Sequence, residues 1–210
     1  MIVGVCSGGP VSEVVLPPCD SWIGVDRGAL YLVESGIVPI DIVGDFDSVN
    51  EAEFEQIRAV VPSALKLNAE KDETDTELAI ERALALHPSR VLVTGVTGGR
   101  LDHFEAALRI LVRYQLAYPD VKFTIVNKQN ELSVLTPGVH TLKRDHAYRY
   151  VSFFAVDGTV ENVTLRGVKY ETTSETIERF SSRFTSNEII GEDASISFDS
   201  GICLVIRSHD

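Results

Sequence analysis

Short runs of consecutive apolar residues alternate with helix-period stretches along the first part of the chain. The runs are rich in β-branched residues and are bounded by Gly, Pro or Asp, as buried strands of a parallel sheet are. Between them, apolar residues recur at i, i+3, i+4 and i+7, the spacing of an amphipathic helix. This alternation predicts an α/β domain with a mostly parallel sheet. The predicted strands are Ile2–Cys6, Trp22–Val25, Ile40–Val43, Arg90–Thr94 and Val121–Val126.

The helices between these strands carry sequence signals for their first residues. Asn50 with Glu53, and Thr74 with Glu77, have the spacing of a capping box, in which a polar N-cap and a later Glu satisfy backbone N–H groups reciprocally. A further helix is predicted to begin near Asp102, because the apolar positions after it keep helical spacing.

From about Glu131 the pattern changes to short strand-like runs separated by Asp-Gly, Arg-Gly and Ser-Gly turns. We therefore predict two domains: an α/β domain over residues 1–130 and an all-β, sandwich-like domain over residues 131–210. The strands predicted for the second domain are Tyr150–Val156, Val160–Leu165, Arg179–Thr185, Ala194–Phe198 and Ile202–Ile206.

Composition restricts the classes of partner. The chain has 31 Asp and Glu against 19 Lys and Arg, a net charge of −12, which disfavours a broad basic face for nucleic acid or an anionic membrane. No apolar run reaches the length of about 18 residues needed for a membrane span. Three cysteines without paired spacing and no export signal predict a cytoplasmic protein with reduced thiols. A small anionic substrate would need a divalent cation or a nest of backbone N–H groups to offset repulsion.

The sharpest candidate site is Gly44-Asp-Phe-Asp-Ser48, directly after the third predicted strand. In an extended segment Asp45 and Asp47 project to one side and Phe46 to the other, so two hard oxygen ligands suited to Mg²⁺ converge. Open α/β sheets also bind ligands beyond the carboxyl ends of their strands. The alternative is a solvated turn in which Asp47 or Ser48 caps the next helix.

A second acidic segment is Lys71-Asp-Glu-Thr-Asp-Thr-Glu77. It places Asp72 before a predicted helix and Asp75 in the first helical turn, where backbone N–H groups also favour a phosphate. Lys71 adds a mobile positive charge for phosphate. The alternative is ordinary helix capping, which leaves Lys71 and Asp72 as surface charges.

A third segment, Thr94–His103, connects a predicted strand to a predicted helix. Gly98 and Gly99 permit close approach of the backbone to a ligand, and Arg100 offers a bidentate phosphate contact. Asp102 is a candidate metal ligand or base, with a helix N-cap as the simpler alternative. The segment has neither the P-loop pattern nor the spacing of a dinucleotide-binding turn.

Glycine with an acid or hydroxyl also follows the first two predicted strands, in Ser7-Gly-Gly9 and Asp26-Arg-Gly-Ala29. Each segment alone is a common strand-to-helix turn. Because the carboxyl ends of parallel strands share one edge of the sheet, these strand ends together predict a site for a Mg²⁺-nucleotide.

Taken in order, these motifs resemble those of the thiamin pyrophosphokinase family. The resemblance implies transfer of the diphosphoryl group of ATP to the hydroxyethyl group of thiamin, giving thiamin diphosphate and AMP, with Mg²⁺. It also implies a homodimer that holds thiamin between the α/β part of one subunit and the β part of its partner. It covers most of the chain and rests on Asp26-Arg-Gly-Ala, Gly44-Asp-Phe-Asp-Ser, Lys71-Asp-Glu-Thr-Asp-Thr-Glu-Leu-Ala, Thr97-Gly-Gly-Arg-Leu-Asp-His and Ser186-Asn-Glu.

The resemblance further implies a role for individual residues. Asp45, Asp47, Asp75 and Asp102 would surround Mg²⁺ and the triphosphate, with Asp75 or Asp102 accepting the hydroxyl proton. The late segment associated with thiamin matches Ser186 and Asn187. Contacts to ATP are implied for Asp26, Arg27, Gly28, Lys71, Asp72, Gly98, Gly99 and Arg100.

The chain departs from the family pattern at two places. Arg27 stands where many relatives have glycine, in an Asp-Gly-Gly-Ala run. The single tryptophan, Trp22, belongs to the first domain, so a ring from the β domain that stacks on thiamin must be Phe or Tyr.

Two other classes of protein stay open at this stage. A Mg²⁺-dependent nucleotide or diphosphate phosphohydrolase would use the same carboxylates with water as nucleophile. A nucleotide-sensing dimer would bind Mg²⁺-ATP without turnover. The β domain with Ser186-Asn187 favours the transferase, because simple hydrolysis does not need it.

Overall fold

The computed structural model describes residues 1–62 and 74–210. The chain forms two compact units, Met1–Lys128 and Gln129–Asp210. The first unit is α/β with a parallel sheet and the second is all-β, which confirms the predicted fold class. Over the described ranges, no helix combines the length and the apolar character that crossing a membrane requires.

Five parallel strands pair in the first unit in the spatial order β3-β2-β1-β4-β5. The order changes direction between β1 and β4, and such a switch point leaves a crevice at the carboxyl ends of the strands. Most side chains of these strands are buried, as in a sheet covered on both faces. The strands are β1 Ile2–Cys6, β2 Ser21–Val25, β3 Asp41–Val43, β4 Arg90–Thr94 and β5 Lys122–Val126.

Helices connect these strands, and their caps agree in part with the sequence. The capping box at Asn50 is confirmed, since Glu53 N donates to Asn50 Oδ1 at 3.0 Å and Asn50 N donates to Glu53 Oε2 at 2.9 Å. Thr74 accepts from Glu77 N at 3.2 Å, but the Glu77 carboxylate pairs with Arg113 instead of returning to the cap. The helices are α1 Arg27–Glu34, α2 Glu51–Val60, α3 Asp75–Leu84 and α4 Leu101–Ala117, with a 3₁₀ turn at Val11–Glu13.

Antiparallel strands of the second unit form two layers around one core. Strands β6, β12 and β8 pair in that order, and the other layer has the order β10-β9-β11-β7. Phe153 and Val205 from one layer share a buried cluster with Leu165 and Ile196 from the other, the arrangement of a β-sandwich. The strands are β6 Asn130–Leu135, β7 Gly138–Lys143, β8 Tyr150–Ala155, β9 Val160–Arg166, β10 Thr172–Ile177, β11 Asp193–Phe198 and β12 Cys203–Ser208.

One strand prediction is wrong. Arg179–Thr185 contains turns, closed by the bonds Ser181 N to Glu178 O and Thr185 N to Ser182 O. Its two phenylalanines differ in environment, because Phe184 is buried while Phe180 is 92% exposed. The strand lies just before this segment, as β10, where the residues are mostly polar.

Candidate active site

A cavity of about 510 Å³ lies at the carboxyl ends of the parallel strands of the first unit. The loops that follow β1, β2, β3 and β4 all line it, together with the first turns of α3 and α4. The predicted convergence of strand-end motifs at one edge is therefore found in the structure. Lining residues include Ser7, Asp26, Asp47, Asp75, Thr97 and Arg100.

Backbone forms much of the cavity wall where the loops after β1 and β4 meet. Ser7 N donates to Thr94 O at 2.9 Å and Gly9 N donates to Gly95 O at 2.8 Å, so the two loops are hydrogen-bonded side by side. A Cβ on Gly9 would collide with the Gly95 carbonyl, which explains the glycine. A wall made of backbone lets a phosphate-bearing ligand approach closely.

Asp26 is half-buried against the loop that follows β3. Its backbone has φ +48° and ψ −124°, a rare conformation for a residue with a side chain, and its Oδ1 accepts from Phe46 N at 3.2 Å. Burial raises the pKa of Asp26 to about 6; the Phe46 amide opposes this, and the charges of Asp75, Asp45 and Asp47 add to it. The carboxylates of Asp75, Asp45 and Asp47 therefore lie close enough to disfavour the charged form of Asp26.

The Asp45–Ser48 segment is a turn rather than the extended segment predicted. Phe46 has φ +58° and is buried as expected, with its ring centroid 5.0 Å from that of Phe54. Asp47 is exposed and lines the cavity, and its N–H donates to Asp45 Oδ1 at 3.0 Å. The turn presents Asp47 to the cavity while Asp45 braces the backbone of Asp47.

The carboxylates of the cavity suit Mg²⁺ bound together with a phosphate. Among the residues that the structure describes, no group of three or more His, Cys, Asp or Glu is arranged to hold a metal ion. Asp47 and Asp75 do both line the cavity. Mg²⁺ in nucleotide sites takes one or two carboxylates and completes its octahedron with phosphate oxygens and water. The residues present fit that arrangement rather than an all-protein cage.

Asp102 is engaged by its neighbour at the start of α4. Arg100 donates from Nε to Oδ1 at 3.1 Å and from Nη2 to Oδ2 at 2.6 Å. The hydrogen bonds from Arg100 lower the pKa of Asp102 to about 2, which makes this carboxylate a weak proton acceptor. The N-cap of α4 is Arg100, so the alternative that Asp102 caps the helix is wrong. Arg100 lines the cavity, whereas Asp102 is absent from the described lining.

The remaining predicted site residues differ in whether they line the cavity. Gly99 lines the cavity, while Gly98 has φ +78° and leaves no room for a Cβ beside Glu13. A Cβ on Gly28 would collide with the Cys6 carbonyl, so this glycine permits close packing of α1 on β1. Lys71 and Asp72 lie outside the described residues.

Several cavity residues were not among the predicted site residues. Ser7 Oγ lies 2.9 Å from Thr76 Oγ1, and Asn127 Nδ2 donates to Thr97 Oγ1 at 2.9 Å, so side-chain hydrogen bonds join the loops to neighbouring elements. The available signal was the position of Ser7 and Thr97 just after predicted strands. One face of α4 also lines the cavity at i, i+3, i+4 and i+7, with His103, Ala106, Ala107 and Ile110.

Ser186 and Asn187 lie in the second unit, where Asn187 is buried. Its Oδ1 accepts from Tyr170 N and Glu188 N, and its Nδ2 donates to Tyr170 O, each at 2.9 Å. Ser186 has φ +59°, and its N–H donates to Ser152 Oγ at 2.9 Å. Asn187 thus fixes the backbone of Tyr170, which is 60% exposed.

Known proteins match the chain along most of its length. The family model "Thiamin pyrophosphokinase, catalytic domain" matches residues 13–125, and "Thiamin pyrophosphokinase, vitamin B1 binding domain" matches residues 139–203. Thiamine pyrophosphokinase of Bacillus subtilis (strain 168) is 37% identical over 189 residues, which is 90% of this chain and 87% of that protein.

Two crystal structures are similar over nearly their whole length. Thiamine pyrophosphokinase from Bacillus subtilis has a TM-score of 0.93 and 33% identity, with 100% of both chains covered. Thiamin pyrophosphokinase from Geobacillus thermodenitrificans has a TM-score of 0.91 and 36% identity, with 100% of this chain and 98% of that chain covered. The likeness thus extends through both units.

The raised pKa of Asp26 leads to a stability test on the metal-free protein. The folded state keeps the proton up to about pH 6, whereas the unfolded chain loses it near the ordinary value of 3.8, so stability falls as pH rises between these values. Asp26→Asn removes this charge and keeps an oxygen acceptor for Phe46 N. We expect Asp26→Asn to be more stable by about 1–2 kcal/mol at neutral pH, after allowance for partial solvation, and equal near pH 4.

Urea unfolding in EDTA at both pH values measures this difference. The exposed Asp120→Asn, in the turn before β5, is the control and should change neither value. A stability gain for Asp26→Asn that is the same at both pH values, or absent, would contradict the electrostatic explanation.

Proposed function

We propose positions for ATP, Mg²⁺ and thiamin from one premise: the chain belongs to the thiamin pyrophosphokinase family, whose enzymes transfer the diphosphoryl group of ATP to thiamin. The chain is accordingly a thiamin diphosphokinase with ATP as co-substrate. The matches do not support the phosphohydrolase alternative.

The triphosphate of ATP is proposed to bind in the strand-end cavity. The observation that carries this proposal is that four strand-end loops line one cavity at the switch point of the sheet. Backbone of the loops after β1 and β4 and the guanidinium of Arg100 would bind phosphate oxygens. Residues 1–130 would then be the domain that binds ATP and Mg²⁺ and performs catalysis.

Mg²⁺ is proposed to bind with Asp47 and Asp75, which both line the cavity, while Asp45, the further ligand that the resemblance implies, holds the backbone of Asp47. The mutual repulsion that helps to raise the pKa of Asp26 supports this position, because a cation relieves it. Bound there, Mg²⁺ would neutralise charge on the phosphoryl oxygens. The resemblance also implies Asp102 as a ligand. Asp102 would then bind both Mg²⁺ and the guanidinium of Arg100.

In the proposed reaction, the hydroxyl oxygen of thiamin attacks the β-phosphorus of ATP in line. The bond from the β-phosphorus to the oxygen bridging the α-phosphate breaks, and that oxygen leaves on AMP. Arg100 and the loop N–H groups would stabilise the charge on the transferred phosphoryl oxygens. Asp75 lines the cavity and is proposed to accept the hydroxyl proton, because Arg100 leaves Asp102 a weak base.

Thiamin is proposed to bind on the second unit against Tyr170. Asn187 holds the Tyr170 backbone through two hydrogen bonds, while the ring remains exposed. An exposed aromatic ring on a fixed backbone suits a flat, cationic thiazolium ring. Residues 131–210 would thus bind thiamin, and the Ser186-Asn187 segment would act by shaping this surface.

A homodimer with thiamin at the interface is also proposed. Large apolar side chains on the second unit are exposed, including Val139, Phe180 and Ile190, and an interface would remove them from water.

Each cysteine is a free thiol, which suits the reducing cytoplasm.

Product analysis tests the reaction. Incubation with ATP, Mg²⁺ and thiamin should give AMP and thiamin diphosphate in equal amounts, with no AMP formed when thiamin is omitted. Separation of the nucleotides by ion-exchange chromatography measures both. Formation of ADP, or of AMP without thiamin, would contradict diphosphoryl transfer.

Asp47→Asn tests the metal position. The amide removes the negative charge while its size is kept, so we expect kcat at a fixed Mg²⁺ concentration to fall by about 10²–10³-fold, the loss expected when phosphoryl charge is poorly neutralised. Asp157→Asn, on an exposed turn of the second unit, is the control. Wild-type turnover by Asp47→Asn, with normal Mg²⁺ dependence, would remove Asp47 from the metal site.

Substitutions of Tyr170 test the thiamin surface. Tyr170→Ala removes the ring and should raise the KM for thiamin by about 10-fold, since aromatic contacts contribute about 1 kcal/mol or more. Tyr170→Phe keeps the ring and should stay within about 3-fold of wild type, and the KM for ATP should not change in either variant. Equal thiamin KM values in Tyr170→Ala and wild type would exclude this surface.

A further inference from the structure

We propose that Arg27 is a positioning residue for the Mg²⁺-binding carboxylates, acting by holding the aspartate loop, residues 45–48, at its final residue. This inference rests on the proposed function, because the carboxylates that it concerns are those proposed to bind Mg²⁺. Arg27 contacts the loop and α2 and would touch neither the metal nor ATP.

The guanidinium of Arg27 joins the aspartate loop to α2. Nε and Nη2 both donate to the Ser48 carbonyl oxygen, the former at 3.0 Å. Nη1 and Nη2 donate to Glu53 Oε1 and Oε2, each at 3.1 Å, which makes a bidentate pair. Such fork-to-fork pairing fixes orientation as well as distance, and a lysine cannot reproduce it.

These contacts leave Arg27 unsuited to a phosphate role. Four hydrogen bonds occupy Nε and both terminal nitrogens, and Arg27 is not part of the described cavity lining. The resemblance implies that Arg27 contacts ATP. In our proposal, Arg27 instead contacts the loop that carries Asp45 and Asp47.

The aspartate loop needs external support because of its backbone conformation. Phe46 has φ +58°, a conformation that residues with a side chain rarely adopt, so local preferences favour release of the turn. Asp26 accepts from Phe46 N near one end of the loop, and Arg27 binds Ser48 at the other. Two consecutive residues, the N-cap Asp26 and the first residue of α1, Arg27, thus hold the loop on both sides of Asp47.

Loss of the Arg27 contact should free Asp47 while the core below stays packed. Phe46 remains buried against Phe54, so the fold of the first unit does not depend on Arg27. The expected consequence is weaker use of Mg²⁺ rather than loss of the catalytic step, because saturating Mg²⁺ can select the correct loop conformation.

Arg27→Ala is the test variant, with Glu53→Gln and Arg58→Ala beside it. Glu53→Gln keeps the capping box, which accepts Gln at this position, and removes the charge that orients Arg27. Arg58→Ala removes an exposed guanidinium from the same helix, where it pairs with Glu55 at 2.9 Å and does not touch the loop.

Two measurements are made on the full-length protein. Hydrogen exchange followed by mass spectrometry should show about 10-fold faster exchange in peptides covering residues 44–50 of Arg27→Ala, with β1 and β4 unchanged. The Mg²⁺ concentration for half-maximal activity should rise about 5- to 20-fold while kcat at saturating Mg²⁺ stays within about 3-fold. Glu53→Gln should be intermediate and Arg58→Ala should match wild type.

Three results would overturn the proposal. Unchanged loop exchange and Mg²⁺ dependence in Arg27→Ala would show that the contact does no positioning. Faster exchange throughout the first unit would show a purely structural role. A loss of kcat that saturating Mg²⁺ does not restore would place Arg27 in the catalytic step. If Asp47→Asn also leaves the Mg²⁺ dependence unchanged, the proposed metal site itself fails, whereas a shift for Asp47→Asn alone rejects only the role of Arg27.

Discussion

Repulsion between carboxylates at one edge of a sheet is the constraint on which the site depends. Asp26 is half-buried there, which raises its pKa, and the charges of Asp75, Asp45 and Asp47 disfavour its ionisation further. The ionised form of Asp26 therefore costs stability in the metal-free fold, and other interactions must hold the segment together. The buried ring of Phe46 and the hydrogen bond from its N–H to Asp26 provide part of this hold. In our proposal, this unfavourable charge is what favours a cation at the edge of the sheet.

The same constraint explains how an acidic chain can bind ATP. A net charge of −12 repels a triphosphate at long range, but the cavity offers the backbone of its loops, Arg100 and the proposed Mg²⁺ at short range. The second unit contributes a different kind of surface. The amide of its buried Asn187 forms hydrogen bonds with the backbone of Tyr170, and the ring of Tyr170 is exposed. In our proposal, phosphate binding and ring recognition thus use separate physical means.

Sequence patterns predicted the features of this protein that depend on residues close together in the chain. Apolar runs located the buried parallel strands, and the spacing of Asn50 and Glu53 located a capping box that is present. Strand β10 was missed because Thr172–Ile177 is mostly polar, and a nearby aromatic segment was predicted in its place. The extended conformation predicted for Asp45–Ser48 was also wrong. The left-handed backbone conformation of Phe46 depends on contacts with residues that are distant in the sequence, such as Asp26.

Side-chain partners were the least predictable feature. Arg100 and Asp102 are both plausible site residues by type, yet they bind each other, which weakens Asp102 as a base. Arg27 is likewise a reasonable phosphate ligand by type, but its donors are directed to Ser48 and Glu53. Such pairings depend on tertiary geometry, so spacing along the chain does not reveal them.

The most direct test of the central claim is a crystal structure with Mg²⁺ and α,β-methylene-ATP, in which the bond to be broken is replaced by a stable one. We expect the phosphates against the loops after β1 and β4, with Mg²⁺ between them and the carboxylates of Asp47 and Asp75. A nucleotide bound with its phosphates outside this strand-end cavity, or a metal held without either aspartate, would contradict the account.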